Sequence, residues 1–194
     1  QLKAAKAILT LNSYMGAGKS KNAILEKLVE STKFTLNADH VYIVEFQSTE
    51  HSLVVTHTSN IGAVNMKAPV DGCLEGDVFT NGRILNICAT DKDDSYSRMF
   101  DDCINSTTEY ALCCPYLIDG EVMGVIKACR NMGRASNLPF DVQDESLIGY
   151  IASNIGYVMK YSTVNTSHQA PTKGRGQLLF GNSSPSQPQT SSKV

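Results

Sequence analysis

The chain of 194 residues lacks the features that mark membrane and secreted proteins. No apolar run is long enough to cross a bilayer, and no basic-then-apolar leader opens the sequence. Because the sequence begins at Gln1 rather than at Met, we expect a fragment or a processed product of a longer protein. These absences predict a cytoplasmic location without a membrane partner.

Cysteine pairs with metal-binding spacing are also missing. The six cysteines include no CxxC pair and no Cys/His cluster with zinc spacing. Most of them fall in apolar stretches that read as strands, so we interpret them as buried, reduced thiols of a cytosolic protein. We expect no metal and no cofactor. The cysteines are Cys73, Cys88, Cys103, Cys113, Cys114 and Cys129.

The sequence has no basic stripe. Its net charge is −2, and residues 162–194 contain three basic residues and no acidic ones, so the rest of the chain carries −5. A mildly acidic domain argues against a nucleic-acid partner. The segment 162–194 is rich in Ser, Thr, Asn, Gln, Pro and Gly, and such a composition predicts a disordered tail or linker.

Hydrophobic periodicity predicts an α+β domain. The strongest signal is the stretch 111–129, where Asp119-Gly120 separates two apolar runs as in a type I′ hairpin. The second run is apolar on both faces, as in a central strand, and Lys127 interrupts it. We predict helices at 1–15, 21–37 (capped by Ser20) and 140–161, a short helix within 71–79, and further strands at 40–46, 52–58, 63–68 and 84–88.

This order predicts an antiparallel sheet of about six strands. The N- and C-terminal helices pack on one face, and the polar segment 89–108 forms a lid of short helices and loops over the other. We divide the chain into a linker helix at 1–19, a domain at 20–161 and the tail at 162–194.

Two stretches imitate ligand motifs without satisfying them. Residues 16–20 resemble the end of a P-loop, but Ser13 stands where the motif needs a glycine, so a helix break is the simpler interpretation. Acidic residues from Asp91 to Asp102 follow calcium-loop spacing, but Tyr96 replaces the obligatory glycine. The scattered histidines form no catalytic set.

Three short motifs give the chain a family resemblance. Asn81–Ile87 resembles the "TGxxLNI" of GAF domains, Leu112–Pro115 resembles their "LCxPI", and Gly120–Val125 resembles their "GEVIGV". The likeness runs from about residue 24 to 161 and is closest to the regulatory GAF domains of cyclic-nucleotide phosphodiesterases and certain adenylyl cyclases. It implies a GAF fold.

The resemblance implies a regulatory domain rather than an enzyme. Its ligand would be cAMP or cGMP, bound on the sheet under the lid, and it would control an attached phosphodiesterase or cyclase-type catalytic domain. Main-chain N–H groups near Leu74 would hold the cyclic phosphate, and Asp101 and Thr108 would contact the purine. Carried over by position, the ligand-binding residues are Leu74, Glu75, Tyr96, Ser97, Asp101, Thr108 and Lys127.

The chain departs from the family pattern at several of these places. Lys127 stands where nucleotide binders often have Glu, and it would attract the phosphate, pair with Asp101 and block the pocket, or extend outward. Among the acidic side chains of the protein, Asp101 is the expected counter-charge of Lys127. Tyr42 replaces a small residue of the first strand. Met132 replaces the family's Lys, so its ion pair with Asp144 is expected to be missing.

Two further functions compete with ligand sensing. A GAF domain with a collapsed pocket would serve as a scaffold that dimerises through Leu2–Leu9 and the helix Leu147–Met159, and a homodimer through the terminal helices is also compatible with sensing. GAF folds host methionine-sulfoxide reduction and bilin attachment as well. Both of these activities need cysteines at particular places, and the cysteines of this chain do not match them.

Overall fold

The computed structural model describes residues 13–14, 19–94, 96–133 and 138–164, without the side chains of Cys103 and residues 162–164. Residues 13–14 are helical, and the rest of the predicted helix 1–15 lies outside the described residues, as do the P-loop-like glycines. The last helix continues to Val164, three residues into the predicted tail, and the remainder of that tail is likewise outside.

Four helices and six strands make up the described chain. Ser20 caps the first helix by accepting a hydrogen bond from the amide of Ala23 at 3.3 Å, as predicted. The helices are α1 (Lys21–Thr35), α2 (Leu74–Asn81), α3 (Met99–Ile104) and α4 (Val142–Val164). The strands are β1 (His40–Gln47), β2 (Ser52–Thr58), β3 (Lys67–Pro69), β4 (Leu85–Ile87), β5 (Thr108–Ile118) and β6 (Glu121–Asn131).

The predicted strand 63–68 is mostly a turn. Asn60 accepts from the amide of Gly62 and starts a 3₁₀ turn at Ile61–Ala63, and Asn65 has a φ of 65°. A side-chain cap and a left-handed residue both end strand pairing, which leaves only the three residues of β3.

All six strands form one antiparallel sheet in the order β3-β2-β1-β6-β5-β4. The predicted hairpin is its longest pair, with φ angles of 53° at Asp119 and 89° at Gly120, the positive values that a type I′ turn requires. The α+β fold with an antiparallel sheet of six strands is therefore confirmed.

Side chains alternate between two faces of this sheet. On one face Ile43, Leu112 and Ile126 pack against α1 and α4. On the other, Tyr42, Cys113 and Val125 face α2 and the lid. The lid itself consists of a 3₁₀ turn at Thr90–Lys92 and α3, joined by loops, as predicted. None of the helices in the described part is both long and apolar enough to cross a membrane.

Arg130 joins the sheet to both long helices. Its Nη2 donates to the carbonyl of Leu36 at 2.6 Å and to Asp144 at 3.0 Å, and its guanidinium lies 3.9 Å from the ring of Phe140. Asp144 therefore has a basic partner although Met132 replaces the family's Lys. The basic partner comes from β6, two residues before Met132, because the side chain of residue 130 points to the helix face.

Two glycines of α4 provide a matched test of the helix–sheet contact. A Cβ on Gly156 would lie 2.1 Å from the carbonyl oxygen of Leu117, whereas a Cβ on Gly149 would meet only Ile84 at 3.9 Å. We expect Gly156→Ala to lower the free energy of unfolding by about 1–3 kcal/mol through overpacking. Gly149→Ala should raise it by up to about 1 kcal/mol through helix propensity. Urea denaturation of both variants measures this, and equal effects would contradict the close approach.

Candidate functional site

The candidate site is the face of β5 and β6 that lies away from α1 and α4. Residues of both strands that point to this face alternate along the pair, and Cys113 lies directly opposite Lys127. On its other side Lys127 is opposite Tyr42 of β1. Strand alternation thus places a long basic side chain in the middle of the sheet, between two strands, where it is fully buried.

The Lys127 ammonium pairs with Glu75. Its Nζ lies 2.6 Å from the Oε1 of Glu75, and both side chains are only 1% exposed. Burial by itself would lower the pKa of Lys127, but the Glu75 carboxylate raises it, and the pKa lies above its usual range. The expectation that Asp101 neutralises Lys127 is wrong. The start of α2 lies over Lys127, and its Glu75 carboxylate is the group that pairs with the ammonium.

Local sequence fixes the position of Glu75. Cys73 precedes α2, and its Sγ accepts from the amide of Gly76 at 3.4 Å. A Cβ on Gly76 would lie 1.7 Å from the carbonyl oxygen of Val70, so only glycine allows the helix to come this close to the chain before it. Glu75 therefore enters the interior from the first turn of α2, where the helix dipole favours a negative charge.

The lid closes over Lys127 with aromatic rings. Its Nζ lies 4.7 Å from the ring centroid of Tyr96 and 5.1 Å from that of Phe100, within the range of cation–π attraction. The ring of Phe100 also stacks on Tyr42 at 5.5 Å. Tyr42, which replaces the small residue expected on the first strand, thus fills volume under the lid.

Asp101 holds the lid to the start of β5. It accepts hydrogen bonds from the amide of Thr108 at 2.8 Å, from the hydroxyl of Thr108 at 2.6 Å and from the hydroxyl of Tyr96 at 3.2 Å. Asp101 and Thr108 are both 2% exposed. A carboxylate with three donors needs no cation beside it, which explains why Asp101 leaves Lys127 to Glu75.

A family model covers most of this fold. Residues 21–159 match the model described as GAF domain. The chain belongs to the GAF domain family. GAF domains are generally small-molecule-binding regulatory domains. No curated protein sequence gives a significant match to the chain.

Solved GAF structures share the fold at low sequence identity. The GAF domain of a phosphoenolpyruvate-protein phosphotransferase (ptsP) from Coxiella burnetii has a TM-score of 0.75 at 14% identity, over 86% of this chain and 98% of its own. The nlh2 GAF domain of A. aeolicus in an inactive state has a TM-score of 0.68 at 16% identity, and the match covers 82% of this chain and 96% of that domain. The free methionine-R-sulfoxide reductase of Neisseria meningitidis, in complex with its substrate, has a TM-score of 0.71 at 17% identity. That match covers 84% of this chain and 91% of the reductase. Family membership is confirmed, and the finer likeness to phosphodiesterases stays a prediction.

This GAF domain brings six of the seven predicted site residues to one place. Leu74 is fully buried beside Glu75 at the start of α2, and the contacts above join the other four. Ser97 instead accepts from the amide of Met99 at 3.4 Å, at the start of α3. The resemblance implies main-chain contacts near Leu74 at the start of α2, and in the structure the side chain of Glu75 makes the main contact there. The sequence contains one signal for this contact, because a buried Lys needs an acidic partner. It does not identify Glu75 as that partner, since both the α2 segment and the lid contain several acidic residues.

The buried thiols around the candidate site are unsuited to nucleophilic chemistry, whereas Cys88 is exposed. Burial raises the pKa of Cys73 to about 11 and that of Cys129 to about 12, so both stay protonated at neutral pH. Burial also raises the pKa of Cys113 well above its usual range. Among the described residues no group of three or more His, Cys, Asp and Glu side chains is placed to hold a metal ion. What the cluster offers is recognition: one cation, two carboxylates, and hydroxyls that donate or accept.

Proposed function

We propose that this GAF domain is a regulatory sensor of a cyclic nucleotide, cAMP or cGMP, bound between the β5–β6 face and the lid. The observation that supports this function is the burial of polar groups at this one place. Lys127, Glu75, Asp101 and Thr108 are each at most 2% exposed, and Tyr96 lies against two of them. The family resemblance implies that a cyclic nucleotide would bind on this face, which supports the same placement.

Stability alone gives little reason for such a cluster. Replacing a buried ion pair by apolar residues of similar volume is often neutral or stabilising, because the desolvation of both charges offsets their attraction. The rest of this face is apolar, and it includes Val44, Leu53, Val125 and Cys129. A polar interior on an otherwise apolar face therefore fits recognition better than it fits support of the fold.

The chemistry of the cluster matches a cyclic nucleotide in two parts. Asp101 accepts hydrogen bonds, which suits the amino and ring N–H groups of a purine, and Thr108 both donates and accepts. Lys127 and the first amides of α2 at Leu74 and Glu75 suit an anionic phosphate. The purine would compete with Thr108 and Tyr96 for Asp101, so the lid must move when the ligand binds.

A sensor must pass its signal from the ligand site to another part of the parent protein. We propose that the lid is coupled through the sheet to α1 and α4, which lead to an attached phosphodiesterase or cyclase-type catalytic domain. Among the similar structures, the substrate-bound methionine-sulfoxide reductase shows a GAF fold holding a small molecule, which supports ligand binding in general. A cytoplasmic location would give such a sensor access to cyclic nucleotides.

The stacking of Tyr42 on Phe100 favours a second function, a closed scaffold that dimerises. The apolar stripe of α4 predicted to dimerise packs instead on the sheet of the same chain, with Ile151 and Ile155 both buried. A dimer through α4 would therefore use its outer side, where Tyr150, Tyr157 and Tyr161 are exposed. Light scattering of wild type and Tyr157→Glu tests this function, which predicts a dimer that the charge disrupts.

Calorimetry tests the sensing function. We expect saturable heat from cAMP or cGMP, and Asp101→Ala should weaken binding roughly 10- to 100-fold because hydrogen bonds to a carboxylate are lost. Asp102→Ala is the matched control, since the neighbouring residue on α3 is exposed. Circular dichroism would check that Asp101→Ala stays folded.

Two results would contradict the proposal in different ways. An absence of heat and of any thermal shift with both nucleotides at millimolar concentration would exclude sensing. Binding that is equally strong in wild type and Asp101→Ala would instead show that the nucleotide lies elsewhere on the domain.

A further inference from the structure

The Lys127–Glu75 pair occupies the place where an anionic ligand would bind. In the proposed function, Lys127 and the start of α2 face the phosphate of the nucleotide. In this structure the Glu75 carboxylate contacts the Lys127 ammonium at 2.6 Å, from the first turn of that same helix. A phosphate cannot reach Lys127 unless Glu75 moves, because two anions would then share one cation in a buried place.

Glu75 is not fully satisfied where it lies. Its Oε1 accepts from Lys127, whereas its Oε2 is buried without a hydrogen-bond partner among the described residues. Leaving a buried carboxylate oxygen unpaired costs free energy that water would recover. The pair is therefore held by its one ion contact and by the packing around it, and a ligand that offers Lys127 a better anion can replace Glu75.

The elements around the pair restrict how Glu75 can leave. The lid covers Lys127 with the rings of Tyr96 and Phe100, and Tyr96 is tied to Asp101. On the other side α2 packs against the Val70 carbonyl through Gly76, which leaves no space for the helix to move closer. Release of Glu75 thus requires the lid or α2 to move outward, which links occupancy of Lys127 to the shape of the lid.

We propose that Glu75 is an internal counter-ion that keeps the empty GAF domain closed, and that an acidic group of the ligand displaces it from Lys127. This inference rests on the proposed function and adds its regulation. The ligand must carry a negative charge to bind tightly. The exchange makes or breaks no covalent bond, since the phosphate takes over the ion pair and the Glu75 carboxylate turns toward solvent.

The experiment compares Glu75→Gln with Asp77→Asn, which removes the same charge from the same helix at a half-buried position. The probes are cAMP and cGMP, with adenosine and guanosine as neutral partners, and calorimetry measures each affinity. We expect Glu75→Gln to bind its cyclic nucleotide roughly tenfold more tightly than wild type, because no internal anion competes. Asp77→Asn should bind as wild type does, and the affinity for the nucleosides should stay weak in all three proteins.

Glu75→Asp covers the case in which Glu75→Gln fails to fold with Lys127 left unpaired. The shorter side chain keeps its charge but withdraws from Lys127, so its affinity should lie between those of wild type and Glu75→Gln. Melting temperatures add a second measurement. Ligand should raise the melting temperature of Glu75→Gln more than that of wild type, because the ligand then supplies the missing counter-ion.

The outcomes separate this inference from the proposed function. Measurable binding by wild type, with an affinity about tenfold higher in Glu75→Gln and unchanged in Asp77→Asn, supports both. Equal affinities of wild type, Glu75→Gln and Glu75→Asp overturn the counter-ion exchange and leave sensing intact. Equal gains in affinity by Glu75→Gln and Asp77→Asn overturn it too, since the loss of one negative charge anywhere on α2 would then explain the change. Failure of every folded variant to bind overturns the proposed function and the exchange with it.

Discussion

Lys127→Met is expected to lower the free energy of unfolding by about 3–5 kcal/mol, because it leaves the Glu75 carboxylate buried without its cation. Methionine keeps the length and the apolar stem of lysine, so the change isolates the charge. In the wild type the charge of Lys127 is the same at pH 6 and at pH 8. The raised pKa of Lys127 keeps the ammonium charged throughout this range, and stability from such a group is lost only as the pH rises through that pKa.

The double variant Lys127→Met with Glu75→Leu is the control for this prediction. Removing both charges leaves no unpaired group, so the double variant should regain most of the lost stability in urea denaturation. A double variant less stable than Lys127→Met would show that packing volume, and not charge, determines the loss. The double variant should also lose binding of the cyclic nucleotide. Stability restored without binding would separate the contribution of the pair to folding from the role of Lys127 in ligand binding.

Arg130→Met should cost about 3 kcal/mol or more, because a single side chain serves four acceptors. Its guanidinium donates to the carbonyls of Leu36, Leu138 and Pro139 at 2.6–3.1 Å and to Asp144 at 3.0 Å. Methionine retains the packing of the stem but removes every donor, and hydrogen bonds to charged groups contribute about 1.5–3 kcal/mol each when partners are buried.

Lys160→Met is the matched control for Arg130. Lys160 also forms an ion pair that joins α4 to the sheet, with Asp119 of the hairpin turn, but both side chains are largely exposed, at 41% and 67%. Exposed pairs contribute at most about 1 kcal/mol. Thermal and urea denaturation of both variants should separate them clearly. Similar losses would mean that the carbonyls around Arg130 find water when the guanidinium is removed.

Local patterns predicted the fold because they need only neighbours in sequence. Asp119-Gly120 determines its own turn, and the 3.6-residue spacing from Leu147 to Met159 determines which side of α4 is buried, whatever lies opposite. The departures at the ends of elements, such as the turn at Ile61–Ala63, come from side-chain caps that compete with strand pairing.

Ion-pair partners could not be predicted in the same way. Strand alternation places Lys127 on the lid face and Arg130 on the helix face, but it does not say which acid from another segment comes within reach. Glu75 and Asp101 are both acids near a helix start. The difference lies in the close approach of α2 through Gly76 and in the donors of Thr108, and neither is a property of the sequence near Lys127.

The position of β1 in the sheet has a consequence for synthesis of the chain. β1 lies at the centre, between β2 and β6, and it pairs with residues 79 to 89 positions further along. Until β6 leaves the ribosome, the growing chain presents Val41–Val44, four residues that are buried in the finished domain, on an open strand edge. We therefore expect folding to wait for β6, and β1 to be the segment through which unfinished chains associate.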